Sequence, residues 1–162
     1  MTRRLNSFEA IASALEPVED VLFGVRLEAA TVGAMPEHGV ELSLSHTGLF
    51  LLRDDLASFR MQLSVETGLF IEASIDVASN FRFAEGLSFA REPFFEFANA
   101  VAAPHVRAYA QVILDGLLSQ MKLPPKLLPP MSIFDGPAFK GEDFPDVLDS
   151  QVFDRLRKTS NE

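Results

Sequence analysis

A chain of 162 residues is long enough for one domain with a hydrophobic core, and its net charge of −9 has the wrong sign for a surface that neutralises phosphates. The absence of cysteine excludes disulfide frameworks, thiolate metal sites and cysteine nucleophiles. The longest run free of Asp, Glu, Lys and Arg is the eleven residues Leu42 to Leu52, well short of the roughly 20 apolar residues of a membrane-spanning helix, and Glu9 interrupts the apolar core of any secretory leader.

A single domain over residues 1–162, located in the cytoplasm, is therefore expected, with residues 1–20 forming an N-terminal extension or a short helix. From there the sequence alternates with period two, the pattern of a sheet with one buried face. Val21, Phe23, Val25, Leu27 and Ala29 make one apolar row, and Val40, Leu42 and Leu44 a second. Phe59, Met61, Leu63 and Val65 make a third, and Leu69, Ile71, Ala73, Ile75 and Val77 a fourth. Met35-Pro36-Glu37-His38-Gly39 breaks the first pair, and Thr67-Gly68 suits a tight hairpin between the last two. The spacing predicts a four-stranded antiparallel meander, with a bulge or bend at Ser79-Asn80.

Beyond Glu85 the period changes. Phe94 to Ala102 suits a short helix or turn, Pro104 stops anything running through it, and a long helix is predicted from about His105 to Lys122. Its apolar face would carry Tyr109, Val112 and Ile113, and Gly116 would mark a close crossing with a partner helix. Leu123 to Met131 contains four Pro in nine residues and is extended by force. Asp146 reads as the N-cap of a short helix carrying Leu148, Val152 and Leu156, so residues 141–162 are either that helix or a mobile tail. The fold class is α+β. Fifteen Phe against one Tyr and no Trp point either to a ring-lined groove or subunit contact, or to an unusually aromatic core.

No catalytic constellation emerges. Neither common phosphate-binding Gly loop is present, and Gly86-Leu87-Ser88-Phe89-Ala90 lacks the second Gly of a nucleophile elbow. His38, His46 and His105 have no metal-ligand spacing, and Asp54-Asp55 and Glu142-Asp143 read as solvated loop charges. No enzyme activity, metal or cofactor is expected.

The order of sheet, long helix and Pro-rich exit resembles the bacterial export chaperone SecB and the SecB-like chaperones of toxin–antitoxin systems. Pro104-His105-Val106-Arg107-Ala108-Tyr109 is similar to the Pro-Tyr-[hydrophobic]-Arg-Glu stretch that opens that family's long helix, with His105 for Tyr and Ala108 for Glu. Leu127-Leu128-Pro129-Pro130 followed by Phe134-Asp135 is similar to its exit segment, and Val40-Glu41-Leu42-Ser43-Leu44 to its second strand. The resemblance implies an ATP-independent holdase that forms dimers or tetramers and binds unfolded or exported polypeptides in apolar grooves. It places client contacts at Val40, Leu42, Leu44, Phe134 and Phe139. It would place docking of the export motor SecA at Glu28, Glu41, Glu72 and Asp76. The alternative it leaves open is an adaptor or dedicated chaperone for one partner, such as an antitoxin or a secretion-system component.

Overall fold

The computed structural model describes residues 2–29, 42–67, 71–123 and 127–151. Alternation makes the centre of its main sheet: in β4 (Leu56–Thr67), Phe59, Met61, Leu63 and Val65 are buried, while Gln62, Ser64 and Glu66 face solvent. β4 lies between β3 (Leu42–Arg53) and β5 (Ile71–Arg82), and β2 (Glu16–Ala29) completes the antiparallel sheet in the order β2-β5-β4-β3. The expected meander thus holds for β3, β4 and β5 only. β2 pairs with β5, from Glu16 opposite Arg82 to Ala29 opposite Ile71, which puts the first two long strands at opposite edges. Alternation specifies the face a side chain takes, not the strand beside it.

The expected bend at Ser79-Asn80 is likewise corrected. β5 runs unbroken to Arg82, and the register shifts fall on β2, between Pro17 and Glu19 and between Leu22 and Gly24, with Val18 and Phe23 as the extra residues. Ser79 and Asn80 stay in the ladder because acids on β2 satisfy them. The Ser79 hydroxyl donates to Asp20 Oδ1 (2.5 Å) and Asn80 Nδ2 donates to Glu19 Oε2 (3.3 Å).

A smaller sheet joins the two ends of the chain. β1 (Arg3–Leu5) pairs in parallel with β6 (Leu87–Ala90), which pairs antiparallel with β7 (Val147–Leu148). Between β1 and β2, helix α1 (Phe8–Ala14) is capped by Ser7, whose Oγ accepts the Ala10 N–H. Asp146 caps no helix: its carbonyl accepts the Arg91 N–H, and Leu148 is fully buried opposite Phe89 in the sheet. Val152 and Leu156 lie outside the described residues, as do Met35–Gly39 and Gly68.

The helix does not stop at Pro104. α2 (Arg91–Phe97), a π-helical turn (Ala98–Ala102) and α3 (Ala103–Gln120) are continuous. Pro removes one N–H and crowds the carbonyl four residues back, and a wider turn just before it relieves both. The buried stripe of α3 is Ala103, Val106, Ala110, Leu114 and Leu118; Tyr109 and Ile113 flank it half-buried, and Val112 faces solvent at 69% exposure. The expected apolar face is therefore rotated, because small Ala103 and Ala110 let the helix lie close to the sheet. α3 ends with Lys122 at φ 56, the Leu123 N–H reaching Leu118 O and the Lys122 N–H reaching Ser119 O.

The surplus of Phe goes inside. Phe59 sits among Phe81, Phe94, Phe97 and Phe139 with ring centroids 5.5 to 5.9 Å apart, and Phe50 extends the cluster to Phe95 and Phe144. Among the described residues, Phe23 is the exposed large ring. No helix of the described residues is long and apolar enough to cross a membrane.

Candidate functional site

The Pro-rich exit segment is strapped onto the long helix by side chains that replace a strand ladder. Asn99, in the π-helical turn, accepts the Phe139 N–H at Oδ1 and donates from Nδ2 to the Phe139 carbonyl, both at 2.9 Å. More than two turns into α3, Gln111 Oε1 accepts the Met131 N–H (2.6 Å), and at the start of α2 Arg91 Nη1 donates to the Phe144 carbonyl (2.9 Å). The strap then runs directly over β3. A Cβ at Gly48 would lie 2.2 Å from the Ala138 carbonyl oxygen, so only glycine admits this approach.

That course decides where the client residues expected from the resemblance fall. Phe139, 2% exposed, meets Phe59 edge-on, and Phe134, 3% exposed, stacks on His46 with centroids 5.7 Å apart. Both rings sit beneath the surface and close the core over β3. Leu44 packs half-buried against that core, and Leu42 is exposed at the start of the same strand. Val40 and Glu41 lie outside the described residues.

Among the described residues, little covers the opposite edge. α3 packs mainly over β5 and β4 and only marginally over β2. On the inward face of β2, Leu22 is exposed, while Val25 and Leu27 are only partly buried; Tyr109 and Ile113 of α3 are in the same half-covered state. The helix is pinned beside this strip by His105, whose Nε2 lies 3.2 Å from the Asp20 oxygen that also accepts from Ser79. Ser79, Asp20 and His105 do not form a nucleophilic relay: the carboxylate lies between the other two, and Ser79 is wholly buried.

The outward face mixes charge and apolar surface. Arg60 clamps Asp76 with Nε on Oδ1 (2.7 Å) and Nη2 on Oδ2 (2.6 Å), and Gln62 Nε2 adds a bond to Oδ2 (3.1 Å). The Arg60 guanidinium beside it holds the Asp76 carboxyl below its usual range. The bulged Phe23 lays its ring 4.1 Å from Arg60, with Leu49 and Leu51 also exposed on this face. Alternation assigned Phe23 to the apolar row; Gly24 after it was the one local sign of a bulge. Glu28, Glu72 and Glu66 stand opposite one another on three neighbouring strands, and Arg26 is bonded to Glu28 (2.7 Å). No group of three or more potential metal-ligating side chains occurs among the described residues.

No family model matches the chain, and no curated protein matches it by sequence. The fold does have a solved counterpart. It is similar to the SecB-like chaperone Rv1957 of Mycobacterium tuberculosis, solved in complex with a ChAD peptide from the Rv1956 HigA1 antitoxin. The TM-score is 0.55 at 13% identity, over 75% of this chain and 91% of that one. This is a SecB-like fold.

Proposed function

We propose that the protein is a cytoplasmic, ATP-independent chaperone that holds unfolded polypeptide segments along the open β2 edge. The observation that carries this reading is the strip of Leu22, Val25 and Leu27 with half-buried Tyr109 and Ile113 on α3, an apolar surface incompletely covered among the described residues, on a strand with no second neighbour among them. Such a site offers an extended chain both side-chain pockets and backbone partners, with little sequence preference. Leu42 and Leu44 would extend the contact at the β3 edge, with Phe134 and Phe139 supporting it from below. The SecB-like fold supports the same class of function.

A second reading, a dedicated chaperone for one partner, is favoured by the antitoxin peptide bound to the solved SecB-like neighbour. Docking of the SecA motor is less favoured: Arg60 holds Asp76, Arg26 holds Glu28 with Glu72 close enough to act on the same guanidinium, and Glu41 lies outside the described residues. For self-association, the outward side of α3 at Val112 and Gly116 is open, with nothing within 4 Å of a Cβ built at Gly116. A second copy's helix would fit there, giving the dimer or tetramer expected of such a chaperone.

The test is suppression of aggregation of a chemically denatured client, without nucleotide, by the wild type and by Leu22→Asp. The variant is expected to weaken capture about tenfold while changing stability by less than about 0.5 kcal/mol, as for other exposed positions. Equal capture by a folded Leu22→Asp protein would remove the β2 edge from the site. Capture of one partner and no unrelated client would establish the dedicated reading.

A further inference from the structure

Between α3 and the exit segment lies a cavity of about 520 Å³, bordered by the Gln111–Met131 hydrogen bond. Pro104, Ala108, Pro130 and Met131 make its walls apolar, and Arg107 and Ser132 are the polar groups on its lining besides Gln111, which is engaged in the strap. Arg107 is the motif arginine of the helix opening. Its Nε and Nη2 are shut off from water and have no hydrogen-bond partner, and the same is true of His46 Nδ1. A guanidinium desolvated without acceptors is unfavourable. Burial pushes Arg107 below its ordinary value, and Asp135, which forms no ion pair with it, offsets this only in part.

The two orphaned donors are the same pair with which Arg60 grips both oxygens of Asp76. They form the side-on fork that matches a planar carboxylate. We propose that this cavity binds a carboxylate carried on an apolar body, with Arg107 as its bidentate partner. The apolar body lies against Pro104, Ala108, Pro130 and Met131. One cation and apolar walls match a singly charged group; a phosphate dianion would leave charge uncompensated. The fork is shielded as it stands and Arg107 is only half-buried, so the proposal requires a rotation about its side-chain bonds that turns the donors into the cavity.

The proposal is independent of holdase activity and is tested by direct binding to the full chain, by calorimetry and by the NMR signal of the Arg107 Nε–H. The probes are hexanoate, hexanol, and two blocked peptides that differ by Glu or Gln between leucines. Hexanoate is expected to bind at least about tenfold more tightly than hexanol and to shift the Nε–H signal, and Arg107→Gln to abolish that preference. Arg107→Lys, keeping the charge without the fork, is expected to recover only part of it. A preference for the Glu peptide, competed by hexanoate, identifies a polypeptide carboxylate as the source; hexanoate binding alone identifies a free acid. Equal binding of hexanoate and hexanol, no binding of any probe, or an unchanged preference in Arg107→Gln overturns the proposal.

Discussion

The two edges of the main sheet are finished in opposite ways. At β3 the inward face is roofed by the protein's own exit segment, with Phe134 and Phe139 driven into the core and the backbone of Ala138 pressed onto Gly48. At β2 the inward face ends in a half-covered row, and what fastens it is polar: Asp20 to Ser79 and His105, and Glu19 to Asn80. Apolar burial stabilises in proportion to area removed from water, whereas a single polar contact of this kind contributes only about 1 kcal/mol. Of the two edges, β3 is therefore the more stable, and the proposed capacity to accept another chain lies at β2. A surface cannot serve both ends at once, since each apolar group the fold buries is lost to a client.

Four perturbations would break or sharpen this contrast. Phe139→Ala should cost most, about 3 to 5 kcal/mol in denaturant unfolding, because it empties a fully enclosed ring site beside Phe59. An equal cost from Leu22→Ala would mean that the two edges are not unlike after all. Gly48→Ala should cost about 2 kcal/mol, since backbone rather than a flexible side chain blocks the added methyl; a thermal melt within a degree of wild type would show that the strap lifts freely. On the other edge Asp20→Ala should cost about 1 kcal/mol, leaving the buried Ser79 hydroxyl without its acceptor, and amide exchange should accelerate in β2 but not in β3.

The smallest effect is in pH. Burial, with Arg107 nearby as a lesser cause, holds His46 below the ordinary 6.5, so the folded state favours the neutral ring. The stability this contributes is complete above 6.5 and is lost as the pH falls below it toward the lowered folded value, because the unfolded chain takes up the proton first. His46→Gln should flatten that part of the stability profile; an identical slope in the variant would place its origin elsewhere.

Much of this was legible in the sequence. The rows Phe59 to Val65 and Ile71 to Val77 gave the centre of the sheet because both strands are flanked by neighbours, so alternation and burial coincide. Of the stretch expected to be extended, Pro130 is extended and a 3-10 turn follows at Met131–Ile133, while residues 124–126 lie outside the described residues. The failures share a cause. Pairing of β2 with β5 and the strand partners of Val147-Leu148 are long-range choices, invisible in a local window. Pro104 misled for a different reason: its propensity was read for an ordinary helix, and the π-helical turn changes the geometry it has to satisfy. The candidate site was less legible than the fold, because exposure at an edge depends on what the rest of the chain covers, which no local window of sequence contains.

The pairing of Glu16–Ala29 with the far strand also bears on how the molecule is made. β3, β4 and β5 are successive hairpins that form from neighbours in the chain, whereas β2 must wait for β5 to exist and then return across that distance. During synthesis and refolding the β5 edge is therefore vacant for longest, with β2 as its intended but not its only occupant. As the protein concentration approaches the effective concentration of the tethered strand, the β2 of a second molecule competes with it, so concentrated refolding is expected to raise the share of strand-exchanged dimers and dilution to lower it.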